Sequence, residues 1–346
     1  MNKVLVTGNL GYIGTVLSAL LVDAGYDVVG IDTDFYEDCA FQRDLPDVLT
    51  IKKDIRNIVV QDLDQIDTII HLAALSNDPL GNLNPGLTYG INYRSTIRLA
   101  ELAKKAGVSR FIFSSSCSNY GAAGDDYLDE NAPFNPVTAY GESKVLAERE
   151  LSKMANDTFS PVILRNATAY GYSPKMRFDL VVNNLTAWAV ATGKIYLKSD
   201  GTPWRPLVHV EDISRAFLAV LEAPREIVHN EAFNVGQTSE NYRIRDVAEI
   251  VAEVLPDCEV SFAPEAGPDI RNYRVNCDKI QQKLPSFQPK WTVKKGVEEL
   301  QEIFNVAKLR PEEFEGPRYK RILHIQNLLD SGELDSSLRW KVYQKA

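Results

Sequence analysis

The stretch TGNLGYIG, residues 7–14, places glycines at 8, 11 and 14, between the apolar run VLV (4–6) and an apolar stretch of helical character. No other segment restricts the fold as much. Glycines at a strand-to-helix turn permit a tight bend, close approach of backbone to a pyrophosphate, and close packing of helix on strand. The start of the helix adds N–H groups without partners and a partial positive charge. An ordinary strand–helix turn can use glycine too, so the triplet takes its meaning from the residues on its C-terminal side.

Eighteen residues after Gly14, the run VVGI (28–31) ends in Asp32. A carboxylate there can accept the ribose hydroxyls of an adenosine and disfavours a 2′-phosphate, which selects NAD over NADP. Asp54 and Ile55 come directly after the next apolar run, LTIK, where they can contact adenine. TIIHLAAL (68–75), FIF (111–113) and PVIL (161–164) are further short apolar runs, separated by stretches of helical period. In 89–106, Ile91, Leu99, Leu102, Ala103 and Ala106 share one face, with Gly107 as the C-cap. Such alternation predicts an α/β fold: a Rossmann-like, doubly wound parallel sheet covered on both faces.

After about residue 172 turn signals become denser, although IRDVAEIVAEVL (244–255) still predicts an amphipathic helix. The expected organisation is an NAD-binding domain over 1–171, with segments about 205–235 returning to it. A smaller α/β substrate lobe and a charged helical tail occupy 172–346. The sequence gives no role for the tail beyond about 310.

A net charge of -9 and a pI near 5.1 argue against general binding to nucleic acid or an anionic membrane. The four cysteines, 39, 117, 258 and 277, have neither zinc-ligand spacing nor a disulfide pattern. With Met1 running straight into KVLVTG and no apolar stretch near ~20 residues, the expectation is a cytoplasmic protein with no metal site.

FIF leads into SSSCSNYG (114–121), and YGESK (140–144) comes after it. In open α/β sheets ligands bind beyond the carboxyl ends of strands, so these hydroxyls would face the nicotinamide. Tyr140 and Lys144, at i and i+4, share a helix face. An ammonium beside a phenol favours the phenolate, and this predicts a lowered tyrosine pKa usable in acid–base chemistry. His71 and His209 lie within strand motifs and read as structural.

In their order and intervals, Thr7 to Gly14, Asp32, Asp54-Ile55, HLAA (71–74), Asn92, SSSCSNYG and YGESK resemble the extended short-chain dehydrogenases/reductases, in the nucleotide-sugar epimerase/dehydratase branch. The resemblance covers nearly the whole chain. It implies NAD held by Gly8, Gly11, Tyr12, Ile13, Gly14, Asp32, Asp54, Ile55, Leu72, Ala73, Ala74, Asn92, Ser114, Tyr140 and Lys144. It implies Ser116, Tyr140 and Lys144 as the catalytic set, with Ser114 and Ser115 supporting the strand end or cofactor.

For a nucleoside-diphosphate sugar, the resemblance implies contacts from Ser116, Thr168, Asn183, Arg205 and Arg271, with Arg274 a weaker alternative to Arg271. Thr168 replaces the asparagine of the family pattern, and Pro206 stands where aspartate is usual. A homodimer through the 89–106 helix and the Tyr140 helix is implied as well.

In the family's 4,6-dehydratases, positions 117 and 118 are an acid–base Asp-Glu pair; here they are Cys117 and Ser118. A serine cannot replace a carboxylate base. Cys117 is open to two readings, a pocket filler or a proton donor beside the sugar ring. The leading expectation is a 4-epimerase that passes through a keto sugar. An oxidoreductase, a dehydratase or an epimerase at another carbon is the alternative, and a non-catalytic NAD-binding regulator the third reading.

Overall fold

The computed structural model describes residues 3–41, 47–76, 78–267 and 271–341. Seven strands form one sheet: β1 (Lys3–Thr7), β2 (Asp27–Asp32), β3 (Leu49–Lys52), β4 (Thr68–His71), β5 (Arg110–Ser116), β6 (Ser160–Asn166) and β7 (Ala232–Val235). Their order is β3-β2-β1-β4-β5-β6-β7, and every pairing is parallel. The order reverses between β1 and β4, which makes that crevice the topological switch point. Val4, Leu5 and Val6 in β1 and Phe111, Ile112 and Phe113 in β5 are fully buried, because helices cover both faces.

The helical stretch predicted over 89–106 is not uniform. Tyr89–Arg94 forms a widened turn with a π-type pattern, and a regular α-helix continues over Ser95–Ala106. Gly107 ends it with φ +82, the left-handed cap that glycine adopts without strain. The widened turn buries Ile91 and Asn92, and turns of this kind occur often beside functional sites. Thr138 caps the helix Ala139–Lys153 by accepting the Gly141 N–H at 3.2 Å.

The smaller lobe contains a three-stranded sheet of Thr168–Tyr170, Trp204–His209 and Asn241–Arg243. Helices Val181–Thr192, Ile244–Val254 and Val293–Ala307 pack around a core that includes Phe178, Phe304 and Phe314. In Ile244–Val254, Val247, Ala248 and Val251 are the buried stripe.

The chain crosses between the lobes several times. β7 and the helix Val210–Glu222 belong with the large sheet: Phe217 and Phe233 share its core with Val4 and Val6. The helix Arg321–Asp330 and the residues after it lie on the other face, where Ile325, Leu328, Leu334 and Leu338 join the core of Leu5 and Phe111. Among the described residues, no helix is long and apolar enough to cross a membrane.

Candidate active site

Beyond the carboxyl ends of β1, β2, β4 and β5 lies a cavity of about 980 Å³, walled by both lobes. Its upper edge is the glycine loop. Gly8 has φ +78, and a Cβ there would come within 2.8 Å of the Ala73 nitrogen. A Cβ on Gly14 would lie 2.1 Å from the Gly8 carbonyl oxygen, so neither position tolerates a side chain. The helix Tyr12–Asp23 starts behind Gly11 with no side-chain cap, which leaves its first N–H groups open to an anion. Asp32 accepts the N–H groups of Leu10 at 3.1 Å and Asp34 at 2.8 Å, and it retains acceptor capacity on both oxygens. Burial raises its pKa, an effect that those two N–H groups oppose. Loop, helix start and carboxylate together fit the pyrophosphate and adenosine ribose of NAD.

Asp54 and Ile55 line the same end. The Asp54 carboxylate is already engaged by the Arg56 guanidinium, at 2.5 Å from Nη2. Leu72, Ala73 and Ala74 line the middle of the cavity. A hydrogen-bonded chain connects them to the strands. Thr96 Oγ1 donates to the Asn92 carbonyl, so it receives the proton of His71 Nε2 at 2.8 Å. His71 Nδ1 is then the acceptor for Thr7 Oγ1 at 2.6 Å. Burial, with the nearby Lys144 charge, lowers the His71 pKa to about 3 and keeps the ring neutral. Asn92 accepts the Leu75 N–H and donates to Ser143 Oγ, which pins the 75 loop to the Tyr140 helix. Its amide is a structural clamp, and Asn92 is not among the residues of the cavity wall.

The serines at the end of β5 are in different situations. Ser114 Oγ accepts from Asn166 Nδ2 at 3.0 Å. Ser115 Oγ donates to Glu148, whose carboxylate also holds the buried Arg165 at 2.8 Å. Ser116 Oγ accepts the Ser118 N–H at 3.1 Å, and its hydroxyl lies close enough to Tyr140 to favour the phenolate. Two polar atoms of wall residues, Ser118 Oγ and Asn166 Oδ1, have no hydrogen-bond partner among the described residues.

The expected lowering of the Tyr140 pKa is reversed. Burial and the Asp78 charge push it up to about 12, against the Ser116 hydrogen bond and the Arg177 charge. Lys144 donates to the Ser114 carbonyl oxygen at 2.7 Å, and its ammonium lies 5.9 Å from the Tyr140 ring centre and 4.6 Å from that of Phe113. Burial brings the lysine itself down to about 7, partly offset by Glu148. Desolvation of both groups outweighs their proximity along the helix.

Cys117 does not line the cavity. It is fully buried in a cluster with Tyr120, Tyr273 and Cys277, and its thiol donates to the Arg165 carbonyl at 3.2 Å. Burial drives its pKa far up.

From the second lobe, Thr168, Arg205 and Arg271 reach the wall. Arg205 Nη1 donates to the carbonyl oxygens of Trp204 and Arg271, and Arg271 is ion-paired with Asp78 at 2.6 Å. Arg274 lies between the rings of Tyr127 and Trp204, at 4.4 and 4.7 Å. Residues 268–270 of the Arg271 segment lie outside the described residues.

Asn183 is fully buried. It accepts the Gly171 N–H and donates to the Arg177 carbonyl and the Tyr12 hydroxyl. The Tyr12 side chain donates to the Gly171 carbonyl, locking the glycine loop to the second lobe. Asn184, one residue on, lines the cavity instead. Sequence reasoning missed Asn184, Asp78, Arg177, Lys320 and Arg321, all part of the wall. The polar pair NN in VVNNL was the one local signal, and a helix turns neighbouring residues to different sides.

A strand–glycine loop–helix unit beside a Ser/Tyr/Lys group defines a dinucleotide-dependent enzyme of the short-chain dehydrogenase/reductase type. Residues 4–236 match the model of the NAD dependent epimerase/dehydratase family, and the chain belongs to that family. It is similar to a UDP-glucose 4-epimerase of Bacillus subtilis, with 26% identity over 86% of this chain and 94% of the relative. It is also similar to UDP-glucuronic acid decarboxylase 1 of Arabidopsis thaliana, 26% identical over 91% of this chain and 72% of the relative. The solved structure of MoeE5 in complex with UDP-glucuronic acid and NAD superposes with a TM-score of 0.76 and 28% identity, over 88% of this chain and all of that one. The protein is therefore an NAD-dependent enzyme of the nucleotide-sugar epimerase/dehydratase type, which sets aside the non-catalytic reading.

Proposed function

We propose that the protein epimerises a nucleoside-diphosphate sugar at carbon 4 through a transient keto sugar. The observation that carries this reading is the convergence of Ser116, Tyr140 and Lys144 on the cavity wall, with no carboxylate at 117 or 118. When bound, NAD supplies the site that accepts a hydride and gives it back. Tyr140 takes the proton of the sugar hydroxyl as the carbon–hydrogen bond breaks, and returns it when the ketone is reduced from its other face. Ser116 holds the reacting oxygen in line. Burial and the Asp78 charge hold Tyr140 protonated, while Ser116 and the Arg177 charge favour the phenolate that this step needs. Lys144, anchored on the Ser114 carbonyl, holds the cofactor ribose in this reading.

Gly8, Gly11, Ile13 and Gly14 hold the pyrophosphate, Asp32 the adenosine ribose, and Arg205 and Arg271 the sugar nucleotide's diphosphate. Guanidinium groups suit that role. Asn184, which lines the cavity while its Nδ2 donates to the Phe178 carbonyl, offers its Oδ1 for the substrate contact expected of Asn183. We propose further a cytoplasmic homodimer through the helices Ser95–Ala106 and Ala139–Lys153, checked by sedimentation at micromolar concentration.

A second reading, elimination or epimerisation at a neighbouring carbon, is favoured by Asp78. That carboxylate lines the cavity close enough to raise the Tyr140 pKa. One experiment separates the two: incubation with UDP-, GDP-, CDP- and dTDP-sugars in deuterated water, then NMR of the products. A new configuration at carbon 4 without carbon-bound deuterium is expected. Deuterium at a neighbouring carbon would overturn the simple 4-epimerase in favour of the second reading.

A further inference from the structure

The segment from Pro311 to Lys341 leaves the second lobe and returns to the first domain at the end of the cavity that contains Asp32 and Asp54. It is fastened to the loops after β2 and β3. Trp340 Nε1 donates to the Thr33 carbonyl at 2.7 Å, and His324 Nε2 to the Phe35 carbonyl at 2.8 Å. Arg56, which also grips Asp54, donates to the carbonyls of Ser337 and Leu338 at 2.7 and 2.9 Å. Lys320, Arg321 and Ile322 consequently form part of the cavity wall.

Arg321 is the unusual member. It is 9% exposed, its guanidinium lies 4.0 Å from the ring centre of Tyr36, and its Nε has no hydrogen-bond partner among the described residues. Its charge reaches Asp32, where it favours the ionised carboxylate. A nearly buried cation with one polar atom left without an acceptor carries a desolvation cost that an anionic ligand would offset.

We propose that Arg321 is a further cofactor-holding residue, and that Lys320, Arg321 and Ile322, held in place by the segment that runs on to Trp340, form the outer wall that retains the adenosine half of NAD. The guanidinium, held over the Tyr36 ring, faces the adenosine, and its charge offsets the repulsion between Asp32 and the pyrophosphate. The wall is hydrogen-bonded to two separate loops, so the cofactor leaves only when those bonds open.

The test measures binding rather than turnover. NAD and ADP affinities are determined by calorimetry on the cofactor-stripped full chain, and NAD release is monitored by displacement from the loaded protein. With Arg321→Gln, the dissociation constants for NAD and for ADP should both rise about tenfold or more, and NAD should leave correspondingly faster. Arg321→Lys should lose less, keeping the charge without the planar stack. Unchanged constants for both ligands, or a lower melting temperature with unchanged affinity, would overturn the proposal. Should Arg321→Gln fail to fold, Trp340→Phe keeps the ring and removes only the N–H donor to Thr33. NAD release faster by about threefold or more supports the wall, and an unchanged rate overturns it.

Discussion

Arg271 donates from Nη1 to Asp78 Oδ2 at 2.6 Å, joining the strand Asn272–Val275 to a short helix, Asp78–Leu83, that packs against the Tyr140 helix. Both residues line the cavity, with side-chain exposures of 37% and 16%. A pair this open contributes under about 1 kcal/mol to stability. Its larger effect is on what the guanidinium can hold. Asp78→Asn should weaken the hold on Arg271 and tighten UDP binding by up to about fivefold, the factor that ~1 kcal/mol represents. Arg271→Gln should weaken it. Calorimetry with UDP decides, and equal affinities in all three proteins would rule out competition between carboxylate and diphosphate.

The two neighbouring serines should behave differently. Tyr140→Phe is expected to lower turnover by roughly 10²–10⁴-fold while leaving NAD content intact. Ser116→Ala should also slow turnover. Ser115→Ala removes the donor to Glu148 and should act on stability, by about 1 kcal/mol, more than on rate. Steady-state rates and denaturant titrations on the three variants check this.

Buried thiols set a further expectation. Cys258 is partly exposed, whereas Cys117 and Cys277 have no exposed surface. Alkylation of the native protein, read by mass spectrometry, should label Cys258 first and spare the other two until unfolding. Cys117→Ala should keep turnover near that of the unmodified protein. If it instead abolished turnover as fully as Tyr140→Phe, the thiol would be a proton donor.

His71 has a pKa of about 3 in the folded chain against 6.5 ordinarily. Between those values the unfolded chain binds a proton that the folded one does not, so stability falls as pH drops through this window. The slope from this group approaches about 1.4 kcal/mol per pH unit. His71→Gln should flatten that part of the stability profile, measured by urea titration from pH 7 to 4. An identical slope would show that His71 takes up its proton in the folded state.

The sheet and its cofactor loop were legible in the sequence because their signals are local. Gly8 to Gly14 span one turn, and Asp32 closes the next strand. Tyr140 and Lys144 share a helix face, but their acid–base balance depends on burial, which spacing along a helix does not report. Asn183 and Asn184 differ by one step of helix register, and the sequence alone does not say which of them the fold turns toward the cavity. Arg177 and Asp78 belong to stretches with no recognisable motif. The position of Arg321 depends on contacts such as Trp340 with Thr33, which are 307 residues apart. RILHIQNLLD shows an amphipathic helix, but no local pattern says which sheet it covers.

The packing of Ile325, Leu328, Leu334 and Leu338 against Leu5 and Phe111 has a consequence for synthesis. More than 300 residues separate Leu5 from Ile325. At 5–20 residues per second, the ribosome needs on the order of tens of seconds to connect them. During that interval the apolar patch that Ile325, Leu328, Leu334 and Leu338 will cover stays open to water, a surface suited to capture by a chaperone.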